Sequence, residues 1–179
     1  MHVDLFLELA TPPVDGRPRD LSGVIEDTIA LARAAEAAGV DALWLAEHHF
    51  LGDYSNASCP DLIAAALARE TRTIKLGFAI IPLPIHDPVR VAERLATLDL
   101  MSGGRIMWGA GRGVTATELA GFGVAPGEAR ARMTENLARL RAMLRTGRFE
   151  RAGRSYELRP APAPRLDQAW LACVSPESF

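Results

Sequence analysis

Three consecutive residues, Glu47-His48-His49, follow directly on the short apolar run Ala42-Leu43-Trp44-Leu45-Ala46. In parallel α/β folds, ligands gather just past the carboxyl ends of the strands. Imidazoles placed there titrate near neutral pH, which suits acid/base catalysis or contact with a cofactor. Metal binding is the competing chemistry. Neighbours on an extended chain project to opposite sides, so His48 and His49 do not readily share one ion. Neither H-x-x-x-H nor H-E-x-x-H spacing occurs, and no metal is expected. A structural or surface role for the two histidines stays open at this level.

A second cluster is Gly109-Ala110-Gly111-Arg112-Gly113. The dinucleotide fingerprint requires glycine where Val114 stands, and no Gly-Lys-Ser/Thr follows to make a P-loop. Glycines at a strand end still allow a ligand close to the backbone, and Arg112 could clamp a phosphate. A tight turn with a solvated arginine accounts for the same residues. Ser175-Pro176-Glu177-Ser178 follows the apolar run Ala169–Val174. Hydroxyls and free amides at a nascent helix start favour an anion such as phosphate; an ordinary capped turn is the alternative. Between Glu128 and Arg159 there are nine arginines against four glutamates, an excess of +5. A solvated helix face explains it, with an acidic partner as the rival reading.

The elements that position these residues alternate in period. Val3–Leu9 reads as a strand, and a helix capped by Ser22 runs to Ala38 before Gly39. The fully apolar run from Ala42 suits a parallel sheet covered on both faces. Asp61–Arg69 reads as a helix and Thr73–Ile81 as a strand. Asp87 and Pro88 form an N-cap and first helical position for a helix to Met101. Arg105–Gly109 is a strand, and Thr115-x-x-Glu118 a capping box. Met133, Leu137, Leu140 and Leu144 make one stripe on a helix from Glu128 to Arg145. A hairpin around Ala152-Gly153, an extended linker Pro160–Pro164 and a last strand Ala169–Val174 complete the chain. Alternating βα units predict a parallel sheet. A closed (β/α)8 barrel takes about 250 residues, so the expected architecture is α/β of the TIM-barrel type, truncated to four βα units plus a fifth strand. Residues 1–179 read as a single domain.

Composition sets the outer limits. The chain has 179 residues, 49% hydrophobic and 23% charged, with 20 basic against 22 acidic side chains and a net charge of −2. This is globular composition, long enough to bury about 70% of its unfolded surface. It argues against a dedicated nucleic-acid binder. No stretch approaches 18 uninterrupted apolar residues, so no membrane partner is expected. Asp4 and Glu8 interrupt the N-terminal apolar run, which argues against a signal peptide. Cys59 and Cys173 form no C-x-x-C pair and read as reduced thiols of a cytoplasmic protein.

Taken together, these residues resemble the bacterial luciferase-like flavin-dependent monooxygenases. The resemblance is carried by Trp44–Phe50, Leu76–Pro84, Asp87–Glu93, Leu98–Arg105, Gly109–Gly113 and Trp170–Ser178, in order and with fitting spacing over essentially the whole chain. It implies a (β/α)8 barrel that binds reduced FMN at its carboxyl face. Oxygen adds to the flavin and is transferred to a small organic substrate such as an aldehyde, with electrons often supplied by a flavin reductase. By position, His48 matches the acid/base histidine beside the flavin ring, and Arg112 the flavin-phosphate arginine. Ser175 and Ser178 match phosphate-contacting positions. Ala79-Ile80 falls where family members carry a non-prolyl cis peptide beneath the flavin. Gly111 stands where luciferase itself has a reactive cysteine. The alternatives are a non-catalytic flavin-binding relative, a deazaflavin (F420)-dependent oxidoreductase of the same fold and, with least support, a non-enzymatic interaction domain. The family barrel has three further strands, so truncation is expected, and an open sheet edge predicts a homo-oligomer.

Overall fold

The computed structural model describes residues 1–173, apart from Pro18, Asp53, Val114 and the side chain of Pro126. In chain order the elements are β1 (Asp4–Leu7), α1 (Leu21–Ala37), β2 (Ala42–Leu45), α2 (Pro60–Glu70), β3 (Lys75–Pro82), α3 (Pro88–Ser102) and β4 (Ile106–Gly111). Then come α4 (Ala116–Gly121), α5 (Ala129–Thr146), the hairpin strands β5 (Arg148–Arg151) and β6 (Arg154–Glu157), and β7 (Trp170–Leu171). Strands β1, β2, β3, β4 and β7 form one five-stranded parallel sheet in that order. This is the expected partial (β/α) barrel.

Local sequence explains most boundaries. Asp87 caps α3, its carboxylate accepting from the Val89 amide at 2.8 Å, with Pro88 where a missing N–H costs nothing. The cap of α1 is Asp20 instead of the expected Ser22: its carboxylate accepts from the Ser22 and Gly23 amides, both at 3.3 Å. A carboxylate ahead of the first turn satisfies these donors, and Ser22 falls inside the helix. Strand β1 stops at Leu7 because Leu9 leaves the extended region, with φ of 49°. Among the described residues, Trp170 and Leu171 of β7 pair with Gly109 and Ala110. Trp108 donates to the Leu166 carbonyl at 2.8 Å and so ties β4 to the turn that leads into β7.

The all-apolar β2 is expected to be covered on both faces, and the two covers differ in kind. Leu5, Leu7, Leu43, Leu45, Leu76, Phe78, Ile106 and Trp108 pack with helix residues such as Ala64, Leu67, Leu95 and Leu140 in one core. The opposite face carries the register row Phe6, Trp44, Gly77 and Met107. There the Trp44 indole lies directly on Gly77, where a Cβ would come within 2.3 Å of the ring, and its N–H donates to Asp4 at 2.8 Å. Phe6 is 54% exposed and Trp170 66%. The apolar run thus serves two environments: helices on one side, and on the other the inward face of an arc, which barrels fill with their own side chains.

The amino-terminal rim of the sheet is closed by two ionic side chains. Glu36 accepts from the amides of Arg72, Thr73 and Ile74 and from the Thr73 hydroxyl. Burial alone pushes its carboxyl up, but these donors outweigh that and bring it down to about 2. Arg105 donates to the carbonyls of Ala68, Thr71, Ile74 and Ser102. Among the described residues, no helix is long and apolar enough to cross a membrane.

Candidate active site

At the opposite rim the strand ends surround a cleft of about 510 Å³. Phe6, Leu51, Tyr54, Ile80, Ile85 and Leu119 supply apolar walls, and Glu8, Glu47, His48, Thr115 and Glu118 the polar ones. Ala79 and Ile80 line its base, and the peptide bond between them is cis, as the resemblance led us to expect. The β3–β4 register shifts at the same place, between Phe78 and Ile81. The Ile80 side chain lies over Gly111, where an added Cβ would come within 2.7 Å of it. Glycine at 111 therefore makes room for the ledge that Ile80 forms.

The histidine pair divides between two carboxylates. His48 Nδ1 lies 3.1 Å from Glu118 Oε1, which also accepts from the His49 amide at 2.9 Å. The Thr115 hydroxyl donates to Glu118 Oε2 at 2.7 Å. Burial raises the Glu118 carboxyl, but the Thr115 hydroxyl, the His49 amide and His48 together hold it below the usual carboxylate range. An ionised carboxylate only accepts, so His48 carries its hydrogen on Nδ1. Nε2, on the other side of the ring, lies 3.6 Å from Glu8 Oε2. Tyr54 meets the ring edge-on at 5.6 Å.

The sequence pattern at Thr115 and Glu118 is only half a capping box. Thr115 does cap α4, accepting from the Glu118 amide at 3.1 Å. The Glu118 side chain, which a full box would return to the Thr115 amide, is turned to the histidines.

Glu47 organises the second histidine. Its Oε1 accepts from His49 Nε2 at 3.1 Å and from His86 Nε2 at 2.5 Å. Arg94, which has no lone pair to offer, donates to His86 Nδ1 at 3.2 Å, which fixes the His86 hydrogen on Nε2. Asn136 anchors the backbone of this corner by donating to the Leu83 and His86 carbonyls. Burial pushes the Glu47 carboxyl up, yet the hydrogen bonds from His49 and His86 bring it below the ordinary range. The side chains of His48 and His49 therefore face different carboxylates.

Of the sequence-level candidates, His48, Ala79 and Ile80 meet at the cleft. Arg112 is exposed at the end of β4 and does not line it. Ser175 and Ser178 lie outside the described residues. Three polar positions of this hydrogen-bond network escaped sequence reasoning: Glu8, Glu118 and His86. Glu8 and His86 follow β1 and β3 much as His48 follows β2, so the strand-end rule could have found both. Glu118 was hidden by its partial role as a cap.

Comparison with known proteins gives a consistent picture. The family model described as luciferase-like monooxygenase matches residues 5–179. The 4-hydroxyprotoasukamycin monooxygenase of Streptomyces nodosus subsp. asukaensis is 34% identical over 154 residues, covering 82% of this chain and 41% of that protein. The crystal structure of the monooxygenase RslO1 from Streptomyces bottropensis superposes with a TM-score of 0.79 at 23% identity, over 96% of this chain and 52% of that one. The oxygenating constituent of 3,6-diketocamphane monooxygenase from Pseudomonas putida, solved in complex with FMN, gives 0.76 at 21% identity, over 88% and 44%. An F420-dependent secondary alcohol dehydrogenase gives 0.69 at 20% identity, over 95% and 51%. At these identities the structures establish the fold. The chain spans about half the length of the proteins it matches.

Proposed function

The chain belongs to the luciferase-like monooxygenase family, and from that premise we propose that it supplies the FMN-facing half of a flavin-dependent oxygenating site. Reduced FMN, when bound, would supply the electrons that activate O2 for transfer to a small organic substrate, and a separate flavin reductase would renew it. The cleft suits a planar heteroaromatic ring: Ala79 and Ile80 give an apolar ledge, and Glu8 Oε2 is a buried acceptor with no hydrogen-bond donor among the described residues.

The observation that carries this reading is the setting of His48. Glu118 accepts from its Nδ1–H, and Nε2 faces Glu8 at the cleft. In this proposal His48 moves a proton at Nε2, Glu118 fixes its tautomer, and the apolar walls exclude water. Arg112 and the residues Ser175 and Ser178 hold the flavin phosphate, with Arg112 as the cationic contact.

The test is a fluorescence titration of the purified chain with FMN, oxidised and then chemically reduced, with F420 as competitor and mass followed by light scattering. Saturable binding of reduced FMN, retained by His48→Asn, together with substrate-dependent product in the native chain only, supports the proposal. Preferential binding of F420 overturns it in favour of hydride transfer on the same fold. FMN binding with no product from any substrate class leaves a non-catalytic flavoprotein. A defined dimer in the scattering record supports association across the uncovered sheet face.

A further inference from the structure

We propose that Phe50 is a positioning residue for the site: its ring, seated on Gly121, pins α4 to the loop after β2 and so sets Glu118 against His48 and the His49 amide. The inference deepens the flavin reading above and rests on it only for the role of His48.

The contact is built from both sides. The Phe50 ring lies directly on Gly121, where an added Cβ would come within 2.3 Å of it. Glycine is a poor helix former. Gly121 ends α4 without the left-handed φ that would call for glycine. The room taken by the ring is the reason for glycine at this position. Phe122 extends the contact, with its ring 5.5 Å from that of Phe50 and 4.7 Å, edge-on, from that of His49.

Phe50 holds this place against a backbone penalty. Its φ of 62° lies in the left-handed region, which is uncommon for a bulky side chain. Such a conformation persists where the surroundings over-determine it. Burial does not do so here, because the residue is 62% exposed. The seat on Gly121 is the contact that this turn of the backbone brings about.

Helix α4 needs such an anchor. It has six residues, and among the described residues none of them belongs to the main core. Leu119 packs instead with Val124, Ala129 and Ile85 in a separate small cluster. Yet Glu118 of this helix accepts from the His49 amide at 2.9 Å and lies 3.1 Å from His48 Nδ1. Gly121 follows Glu118 by about one helical turn, and Phe50 follows His49 directly. The ring seat and the carboxylate contact therefore join the same two short segments at two points.

Amide hydrogen exchange followed by NMR tests this. Phe50→Gly removes the ring and relieves the backbone, whereas Gly121→Ala keeps the ring, fills its seat and favours the helix. Each is expected to speed exchange of the His49 amide at least about tenfold. The Ala46 amide, which donates to the Leu7 carbonyl at 3.0 Å, should exchange as in the native chain and so report an intact sheet. The double variant should exchange no faster than Phe50→Gly, since the seat matters only to the ring. Glu118→Ala removes the acceptor, and adding Phe50→Gly to it should change the His49 amide no further. Flavin-dependent product formation should fall about tenfold in each of Phe50→Gly and Gly121→Ala. Native His49 exchange in either variant overturns the proposal, as do additive effects in the double variant. Undiminished product formation in a variant whose His49 amide is released overturns it as well. If the native chain forms no flavin-dependent product, the flavin reading fails, and the exchange rates alone decide whether Phe50 positions Glu118.

Discussion

The two rims of the sheet use the same kind of group, a carboxylate in a crowded place, for opposite ends. At the amino rim, Glu36 is surrounded by backbone amides of the turn it closes, and each donor it meets is fixed by the fold. At the carboxyl rim, Glu47 and Glu118 are surrounded by imidazoles, whose hydrogens can move, and Glu8 keeps an oxygen without a donor among the described residues. The first arrangement is complete in the folded chain, so it contributes stability. The second is complete only within a larger set of atoms, which is what a binding site requires. What separates a latch from a site is therefore the set of partners, and burial does not distinguish them.

Substitutions at each rim sharpen this contrast. The largest expected effect is at the carboxyl rim: His48→Asn should lower flavin-dependent product formation at least about a hundredfold, the usual scale of an acid/base group, while a urea melt moves by no more than about 1 kcal/mol. At the amino rim the balance should reverse. Glu36→Ala orphans three amides and should cost about 2 kcal/mol in the same melt, with FMN binding unchanged at saturating stability. Because the folded carboxyl sits at about 2, below its ordinary value of 4.5, this contribution is present above pH 4.5. It fades as pH falls from there toward 2, so native and Glu36→Ala melts should converge in acid. A stability gap that survives at low pH would show that Glu36 acts through packing alone.

Glu118→Gln tests the boundary between the two behaviours. It keeps an acceptor but loses the charge that holds the His48 hydrogen on Nδ1. Product formation is expected to fall about tenfold, with FMN affinity little changed. The smallest effect is expected from Arg94→Met, which frees His86 Nδ1. Stability should change by less than about 1 kcal/mol, but the histidine nitrogen NMR spectrum should show His86 gaining a hydrogen at Nδ1. An unchanged spectrum would mean that Glu47, and not Arg94, sets the His86 tautomer.

Much of this was legible in the residues themselves. The alternation of strands and helices needs only local periodicity and caps, and Asp87-Pro88 marked the start of α3 because each residue suits its position independently of the rest. His48 was legible through the strand-end rule. Glu118 was misread because one side chain in a two-residue pattern has two uses, and local spacing shows only the capping one. What covers the second face of β2 was not legible, because apolar residues fit a helix-covered face and a barrel interior equally well.

The sequence by itself determined the family, the order of elements and the strand ends at which chemistry is placed, since these follow from spacing along one chain. The tertiary structure decided which side chains meet. Glu8, His48 and Glu118 are separated by up to 110 residues and come from the ends of β1 and β2 and from α4. No local signal encodes the 3.6 Å approach of His48 to Glu8, because that distance depends on sheet register, on the Ser55 and Asn56 clamps and on the path of the chain between them.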